Sequence, residues 1–454
     1  MLDIKFIREN ADKIKKTIKD KNIDLDLDGL LEVDKKRVES LQQIEFLSAE
    51  KNKLNEQMQL SQTKEECESI IEKGKAVKEK MVEAQPEYEE LKKQFDALMT
   101  QVPTVPSEDT PIGKDDSGNV EVYRKGEIRK FDFTPKTHIE LAENLDIIDF
   151  EKGAKVSGYR GYYLKNEGSL LVMALMMYAL NKMVEKGYTP IIPPTLIKGF
   201  ALFGSGYFKG VEYDSATDNI YQIATRDKEM DGADSKEKKF LVGTAEPSLL
   251  AYFSDEMFDE GKLPIRVCGF SPCYRSEIGD YGKDNKGLYR VHEFFKVEQV
   301  VVSTADIDAS TKLQEEMVGI SEEMHQELGL AYRKLQICTG DMAPGKYRAF
   351  DLEAWMPGLN RWGETGSASN FVDWQARRLN VKYKDKDGNK KFAYLLNNTA
   401  LPSVRPLIAI LENYQNEDGS VTVPEVLRKW MPGGIEKIQK KKIENSEIID
   451  FKKI

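Results

Sequence analysis

Apolar residues recur at helical spacing through the first hundred positions and change to short, strand-like runs beyond about residue 120. Ile4, Ile7, Ala11, Ile14 and Ile18 share one side of a segment ending near residue 24, while Arg8, Lys13, Lys15, Lys16 and Lys19 cover much of the rest. That pattern predicts a short basic helix. Further on, Ile70, Val77, Met81, Ala84, Tyr88, Leu91, Phe95 and Leu98 follow steps of seven, four, three, four, three, four and three, which is a heptad seam. Val38, Leu41, Ile44, Leu47, Leu54 and Met58 repeat it less cleanly on the other side of the polar break Ser61-Gln62-Thr63-Lys64. The expected structure is an antiparallel helical hairpin, each helix roughly 30 residues or about 45 Å long, which is more than a compact domain requires.

Pro103, Pro106 and Pro111 with Gly113, Asp115, Asp116 and Gly118 predict an extended, turn-rich linker. Beyond it, Ser169-Leu170-Leu171-Val172-Met173-Ala174-Leu175-Met176-Met177 predicts a buried helix over 168–186, and strand-like runs with glycine turns continue to about 433. The expected organisation is an arm at 1–102, a linker at 103–120, a mixed α+β domain at 121–435 and a charged, partly helical tail at 436–454. Arg226 to Lys239 reads as a surface loop.

Charge narrows the partners. The formal net charge is -10, from 77 acidic and 67 basic residues, so any nucleic-acid contact must use local patches rather than bulk charge. Within 28–100 there are 12 Lys and Arg against 17 Asp and Glu, and Lys73, Lys75, Lys78, Lys80, Lys92 and Lys93 form the available basic clusters. On composition alone the arm reads as a dimerisation or spacer coil ahead of an RNA-binding element. No run of eighteen apolar residues is present and the N-terminus lacks a signal-peptide pattern, which together predict a cytoplasmic protein without membrane association. Cys67, Cys268, Cys273 and Cys338 contain no CxxC pair, and His138, His292 and His325 are far apart, so neither a disulfide framework nor a zinc site is expected.

Val267 to Glu277 and Tyr289 to Val300 predict two strands joined by a polar turn from Asp280 to Gly287. Taken alone, Arg275 and Glu277 would be an ordinary exposed pair on one strand face. The hairpin coincides, however, with a proline-bearing strand at Gly187-Tyr188-Thr189-Pro190-Ile191-Ile192-Pro193-Pro194 and with Arg405 opening the helix Pro406 to Glu412. Together these resemble the three signature motifs of class II aminoacyl-tRNA synthetases. Within that class the chain resembles the seryl-tRNA synthetases nearly from end to end. The likeness includes Met1-Leu2-Asp3-Ile4, the arm, Asp116 to Val122, Phe133-Thr134-Pro135-Lys136-Thr137-His138, Thr244-Ala245-Glu246, Cys338-Thr339-Gly340-Asp341-Met342, Gln375-Ala376-Arg377-Arg378 and Leu411-Glu412-Asn413-Tyr414-Gln415.

The resemblance implies a class II antiparallel-sheet catalytic domain carrying a helical arm, acting as an ATP-dependent serine–tRNA ligase. By motif, Arg275, Glu277 and Arg405 would be catalytic, with Arg275 on the α-phosphate and the serine carboxylate and Arg405 on the γ-phosphate. ATP would meet Arg275, Ser276, Glu277, Val291, Phe294, Glu364, Thr365, Gly366, Ser367 and Arg405, with Phe294 stacking on adenine. Glu364 and Ser367 would hold Mg²⁺, as hard oxygen donors suit that ion. Serine would meet Thr244, Ala245, Glu246, Arg275, Glu298, Asn397 and Thr399, and a pocket with buried polar partners for a hydroxyl penalises alanine.

The family likeness further implies that the arm grips tRNA for serine, with tRNA for selenocysteine as a further acceptor, and that a homodimer forms around Gly187 to Pro194. This chain departs from the family pattern at Ala400, Val404 and Pro406 around Arg405, and at Gly366-Ser367-Ala368-Ser369. Two alternatives remain at this point: a paralogue charging a different acceptor such as a carrier protein, and a non-catalytic coiled-coil interaction protein.

Overall fold

The computed structural model describes residues 2–208, 210, 212–278 and 286–440. Most of the expected polar turn after Glu277 and the tail from 441 onward lie outside the described residues. Contacts divide the chain into two units, 1–105 and 106–454.

In the first unit the opening segment is two helices, Ile4–Glu9 and Ala11–Asp20, rather than one. Asn10 takes non-helical angles (φ -126°, ψ 34°), which lets Ile7, Ile14 and Ile18 converge on Leu27, Leu30 and Met99. The arm follows as helices Leu27–Leu60 and Lys64–Gln101. Its turn coincides with the polar break. Thr63 and Glu66 form a reciprocal capping box at the start of the second helix, satisfying backbone donors there. Leu47, Leu54 and Val77 are buried between the two helices, with Ile70 and Met81 packed against them, so the heptad positions are the ones that face the partner helix.

The second unit is built on an eight-stranded sheet. In chain order its strands are β1 (Val120–Lys125), β2 (Thr189–Ile191), β3 (Ile265–Tyr274), β4 (Glu293–Ser303), β5 (Tyr332–Gln336), β6 (Arg348–Met356), β7 (Arg361–Asn370) and β8 (Tyr394–Pro402). They are arranged β1-β5-β6-β7-β8-β4-β3-β2, antiparallel except for the β3 and β2 pair. Successive strand residues point to opposite faces, and both faces of β4 and β8 are covered. Val301 and Leu396 join a large core with Leu171, Leu175 and Met183 of helix Asn166–Glu185, Met317 and Met324 of helix Ile307–Glu327, and Leu407 and Leu411 of helix Val404–Asn413. Val300, Val302 and Leu395 face the other way, onto Leu249, Leu250 and Phe253. Cys268 and Cys273 are buried apolar side chains of β3.

The segment after Val105 is held to the second unit: Thr339 and Gly340 backbone N–H groups donate to Pro111 and Gly113 carbonyls at 2.9 and 3.0 Å, and Asn119 bonds both Cys338 and Asp341. Residues 226–238 are mainly exposed, with a bridge between Lys228 and Asp234, and Lys239 opens a short strand. Just before the end of the described residues Lys437–Ile438 pairs with Val421–Thr422, and Val423 N–H bonds the Glu436 carbonyl; the rest of the expected partly helical tail lies outside the described residues.

Candidate active site

The hairpin β3–β4 places the first functional side chains. β3 ends at Tyr274, so Arg275 and Glu277 do not form a pair on one strand face. Glu277 has φ 51°, in the left-handed region, and its N–H and the Ser276 hydroxyl both donate to the Asn219 carboxamide oxygen. That turn brings the Glu277 carboxylate against Arg290 at 3.2 Å and Arg160 at 3.7 Å, with its side chain buried. The second strand begins at Glu293 and not at Tyr289. Backbone groups just before it have other partners: Leu288 N–H donates to His138 Nε2 and the Tyr289 carbonyl accepts from Arg405 Nε.

Arg275, Glu277, Val291, Phe294, Glu364 and Arg405 line one cleft of about 510 Å³, together with Tyr289, Lys296 and Thr399. The Arg275 guanidinium lies 5.3 Å from the centre of the Phe294 ring, and its Nε donates to the Gly243 carbonyl at 3.3 Å. Arg405 donates to Glu364 Oε2 at 2.9 Å and to the Glu364 carbonyl at 3.0 Å, and it lies over the Tyr289 ring. Burial pushes the Glu364 carboxyl up, but Arg405, with Arg275 and Lys346 behind it, outweighs burial and holds it below the ordinary range. Asp351 stands across from Ser367 on the paired strands β6 and β7. Burial and the Glu364 charge push its carboxyl up to about 7, against the pull of Lys346 and the Ser367 hydroxyl. Glu364, Ser367 and Asp351 thus set oxygen donors side by side, a chemistry that fits a Mg²⁺ ion carried by a polyphosphate.

A second, buried network adjoins the cleft. Gly269 of β3 eases this approach: a methyl group there would lie 2.9 Å from Leu249 Cδ1 and 3.1 Å from Ala245 Cβ, so the glycine lets residues 244–249 settle closely on the sheet without a shift of those side chains. Thr244 and Glu246 then reach the face that carries Glu298, Asn397 and Thr399, where Glu298 and Thr399 are direct cross-strand partners. Glu246 accepts from Tyr207 at 3.0 Å, Gln375 at 2.8 Å and Asn397 at 2.7 Å. Burial and the neighbouring Glu298 charge push its carboxyl up to about 7, with Gln375, Tyr207 and Lys296 opposing. Glu298 accepts from the Thr244 hydroxyl at 3.1 Å and is ion-paired with Lys296.

Some of the expected residues have their side-chain groups engaged away from the cleft in this structure. The Thr365 hydroxyl bonds His325 at 2.7 Å and the Leu352 carbonyl at 3.2 Å, so Thr365 can offer the cleft only its backbone. The Ser276 hydroxyl is turned to Asn219 and Ala245 is fully buried against Leu249, so neither side chain lines the cleft. Gly366 is a cleft wall between Leu352 and Thr399. Sequence reading missed Arg160, Arg290, Lys296, Tyr207, Asn219 and Gln375. Two local signals were present: Lys296, a lysine amid the mostly buried residues of β4, and Gln375, which opens one of the motifs shared with the family.

Comparison with known proteins places this geometry. Residues 228–414 match the family model of the class II tRNA synthetase core domain (G, H, P, S and T), and residues 1–106 match that of the seryl-tRNA synthetase N-terminal domain. A serine–tRNA ligase of Treponema denticola is 42% identical over 429 residues, covering 94% of this chain and 98% of its own length. The crystal structure of seryl-tRNA synthetase from Pyrococcus horikoshii complexed with ATP superposes with a TM-score of 0.85 at 35% identity, covering 97% of this chain and 100% of that one. The cytoplasmic serine–tRNA ligase of Naegleria fowleri in complex with AMP gives 0.82 at 30% identity, covering 97% and 99%. With an arm and a core both matched, and relatives aligned over almost their whole length, the chain belongs to the seryl-tRNA synthetase family of class II synthetases.

Proposed function

We propose that the cleft binds ATP beside serine in the Glu246–Glu298 network, joins them as seryl-adenylate with release of pyrophosphate, and passes the seryl group to the terminal ribose of tRNA. The observation that carries this reading is the adjacency of two sites of opposite character. One holds Arg275 and Arg405, suited to phosphate oxygens. The other holds two buried carboxylates with hydroxyl and amide partners, suited to a small ammonium-bearing alcohol.

In this mechanism Arg275 binds the α-phosphate and the serine carboxylate, drawing two anions together and taking up the charge that grows as one attacks the other. Phe294 offers adenine an aromatic face, and Glu277, fixed by Arg160 and Arg290, borders the base. Arg405 binds the γ-phosphate and exchanges its present partner Glu364 for it. Glu364 and Ser367 would hold Mg²⁺, which neutralises phosphate charge when bound. Glu246 receives the serine ammonium, and Glu298 with Thr399 receives its hydroxyl.

The arm is assigned to tRNA. Lys73, Lys75, Lys78, Lys80, Lys92 and Lys93 are all exposed on helix Lys64–Gln101, where phosphates can reach them without disturbing the seam. A cytoplasmic homodimer is part of the same reading. Met173, Met177 and Ile192, large apolar side chains in and beside the helix and edge strand that carry the first motif, are 48%, 43% and 84% exposed and would be covered by a second copy. No helix among the described residues is long and apolar enough to cross a membrane. Exchange of labelled pyrophosphate into ATP, driven by each of a panel of amino acids, tests the reading. Serine should support it strongly, and equal support from alanine would refute the assignment of the pocket.

A further inference from the structure

Lys296 is a cation in an unusual place. It sits within β4, between Ser271 of β3 and Pro402 of β8, with its side chain 6% exposed. Its ammonium is ion-paired with Glu298 Oε2 and donates to the Thr399 hydroxyl oxygen at 3.3 Å. Lys296 and Thr399 both border the cleft.

We propose that Lys296 is the positioning residue that sets the direction of the hydrogen bonds offered to the serine side chain, and so the discrimination between serine and alanine. The inference rests on the assignment of Glu298 and Thr399 to that side chain. An ammonium group only donates, so the Thr399 oxygen must accept from it, and the single Thr399 proton is turned elsewhere. Thr244 and Lys296 both engage Glu298 through Oε2, and neither bond uses Oε1. On that assignment a ligand hydroxyl would meet one donor, Thr399 O–H, and one acceptor, Glu298 Oε1. That is the complement of a group that both donates and accepts. Without Lys296 the Thr399 proton is free to turn to its cross-strand neighbour Glu298. Donor and acceptor would then satisfy each other, and the pocket would no longer pay a penalty for a ligand lacking the hydroxyl.

The test compares wild type with Lys296→Met, Lys296→Arg, Thr399→Val and the double variant Lys296→Met/Thr399→Val, using serine- and alanine-driven pyrophosphate exchange on the full chain. Lys296→Met should raise the serine KM and lower the serine-to-alanine ratio of kcat/KM by about tenfold or more. The KM for ATP should move by less than about twofold, and Lys296→Arg, which keeps a donating cation, should recover part of the ratio. Lys296→Met should add little to Thr399→Val, because the two changes remove one device. A folded Lys296→Met that keeps the wild-type ratio overturns the proposal while leaving the serine site standing. If Lys296→Met does not fold, Lys296→Arg decides in its place, measured against Thr399→Val, and full additivity of those two changes overturns the proposal. Wild-type enzyme with no serine-driven exchange would instead refute the assignment of the pocket itself, and the proposal with it.

Discussion

Glu246→Gln separates binding from stability, because the two should move in opposite directions. The carboxylate of Glu246 is 6% exposed and takes three bonds, from Tyr207, Gln375 and Asn397. The carboxamide that replaces it has nearly the same shape. Its oxygen can keep the Gln375 and Asn397 donors, and its amide can donate to the Tyr207 oxygen, which reverses its role without moving. What is lost is the charge that would face the serine ammonium. A charge-assisted hydrogen bond contributes about 1.5–3 kcal/mol, so serine affinity should fall roughly 10- to 150-fold while ATP affinity stays.

Stability should rise. Burial and Glu298 push the Glu246 carboxyl up to about 7 from an ordinary 4.5, so the folded chain holds this proton more tightly than the unfolded chain. The stabilisation from that proton is complete below about pH 4.5 and is lost as the pH rises through about 7. Glutamine is uncharged throughout, so the variant should gain most over wild type above that range. Wild-type serine binding should also weaken below about pH 7, as the carboxylate is neutralised, and the variant should lack that dependence. Calorimetric titration of serine between acid and neutral pH, with thermal melts over the same range, reads all three. Unchanged serine affinity in Glu246→Gln, or an equal loss of ATP affinity, would refute the placement of the ammonium.

Arg275→Ala should lower the rate of adenylate formation about 10²-fold or more, because its charge is needed most during attack on the phosphate; unchanged single-turnover adenylation would remove Arg275 from the site. Deleting residues 30–100 with a short bridge should leave serine-driven exchange nearly intact but abolish charging of tRNA. In the intact chain tRNA affinity should fall steeply with salt while serine activation does not, and normal charging by the truncated chain would refute the role of the arm. Glu412→Ala should destabilise the fold by about 3–5 kcal/mol in urea melts, because Glu412 is fully buried and accepts from the backbones of His138, Gly358 and Leu359; a loss under about 1 kcal/mol would show that those donors find other partners.

Some motifs that marked the family turn out to serve one another rather than the reaction. Lys136 and Gln415 exchange backbone and side-chain hydrogen bonds, His138 is held by Glu412, and Cys338, Thr339 and Gly340 dock the chain at Pro111 to Asn119. Gln375 differs from these in that its partner, Glu246, belongs to the buried network beside the cleft. Buried polar groups must be satisfied, and a linear pattern does not distinguish residues that do so from ligands.

The sequence by itself determined the arm, its turn and its seam, because helical periodicity and capping are local: Leu47, Leu54 and Val77 bury where the steps of three and four put them, and Thr63 caps where the apolar pattern breaks. It also marked the strand position of Glu298 and the helix opened by Arg405, while the strand that carries Thr399 was supplied by the fold. Tertiary structure decided which groups those residues meet. Thr399 lies 103 residues from Lys296, and Glu246 lies 39, 129 and 151 residues from Tyr207, Gln375 and Asn397. Such partners are chosen by strand register and by the close approach allowed at Gly269, and these depend on the whole sheet forming. The charge on Glu246 and the direction of the Thr399 hydroxyl follow from burial and from those neighbours, neither of which exists in the unfolded chain.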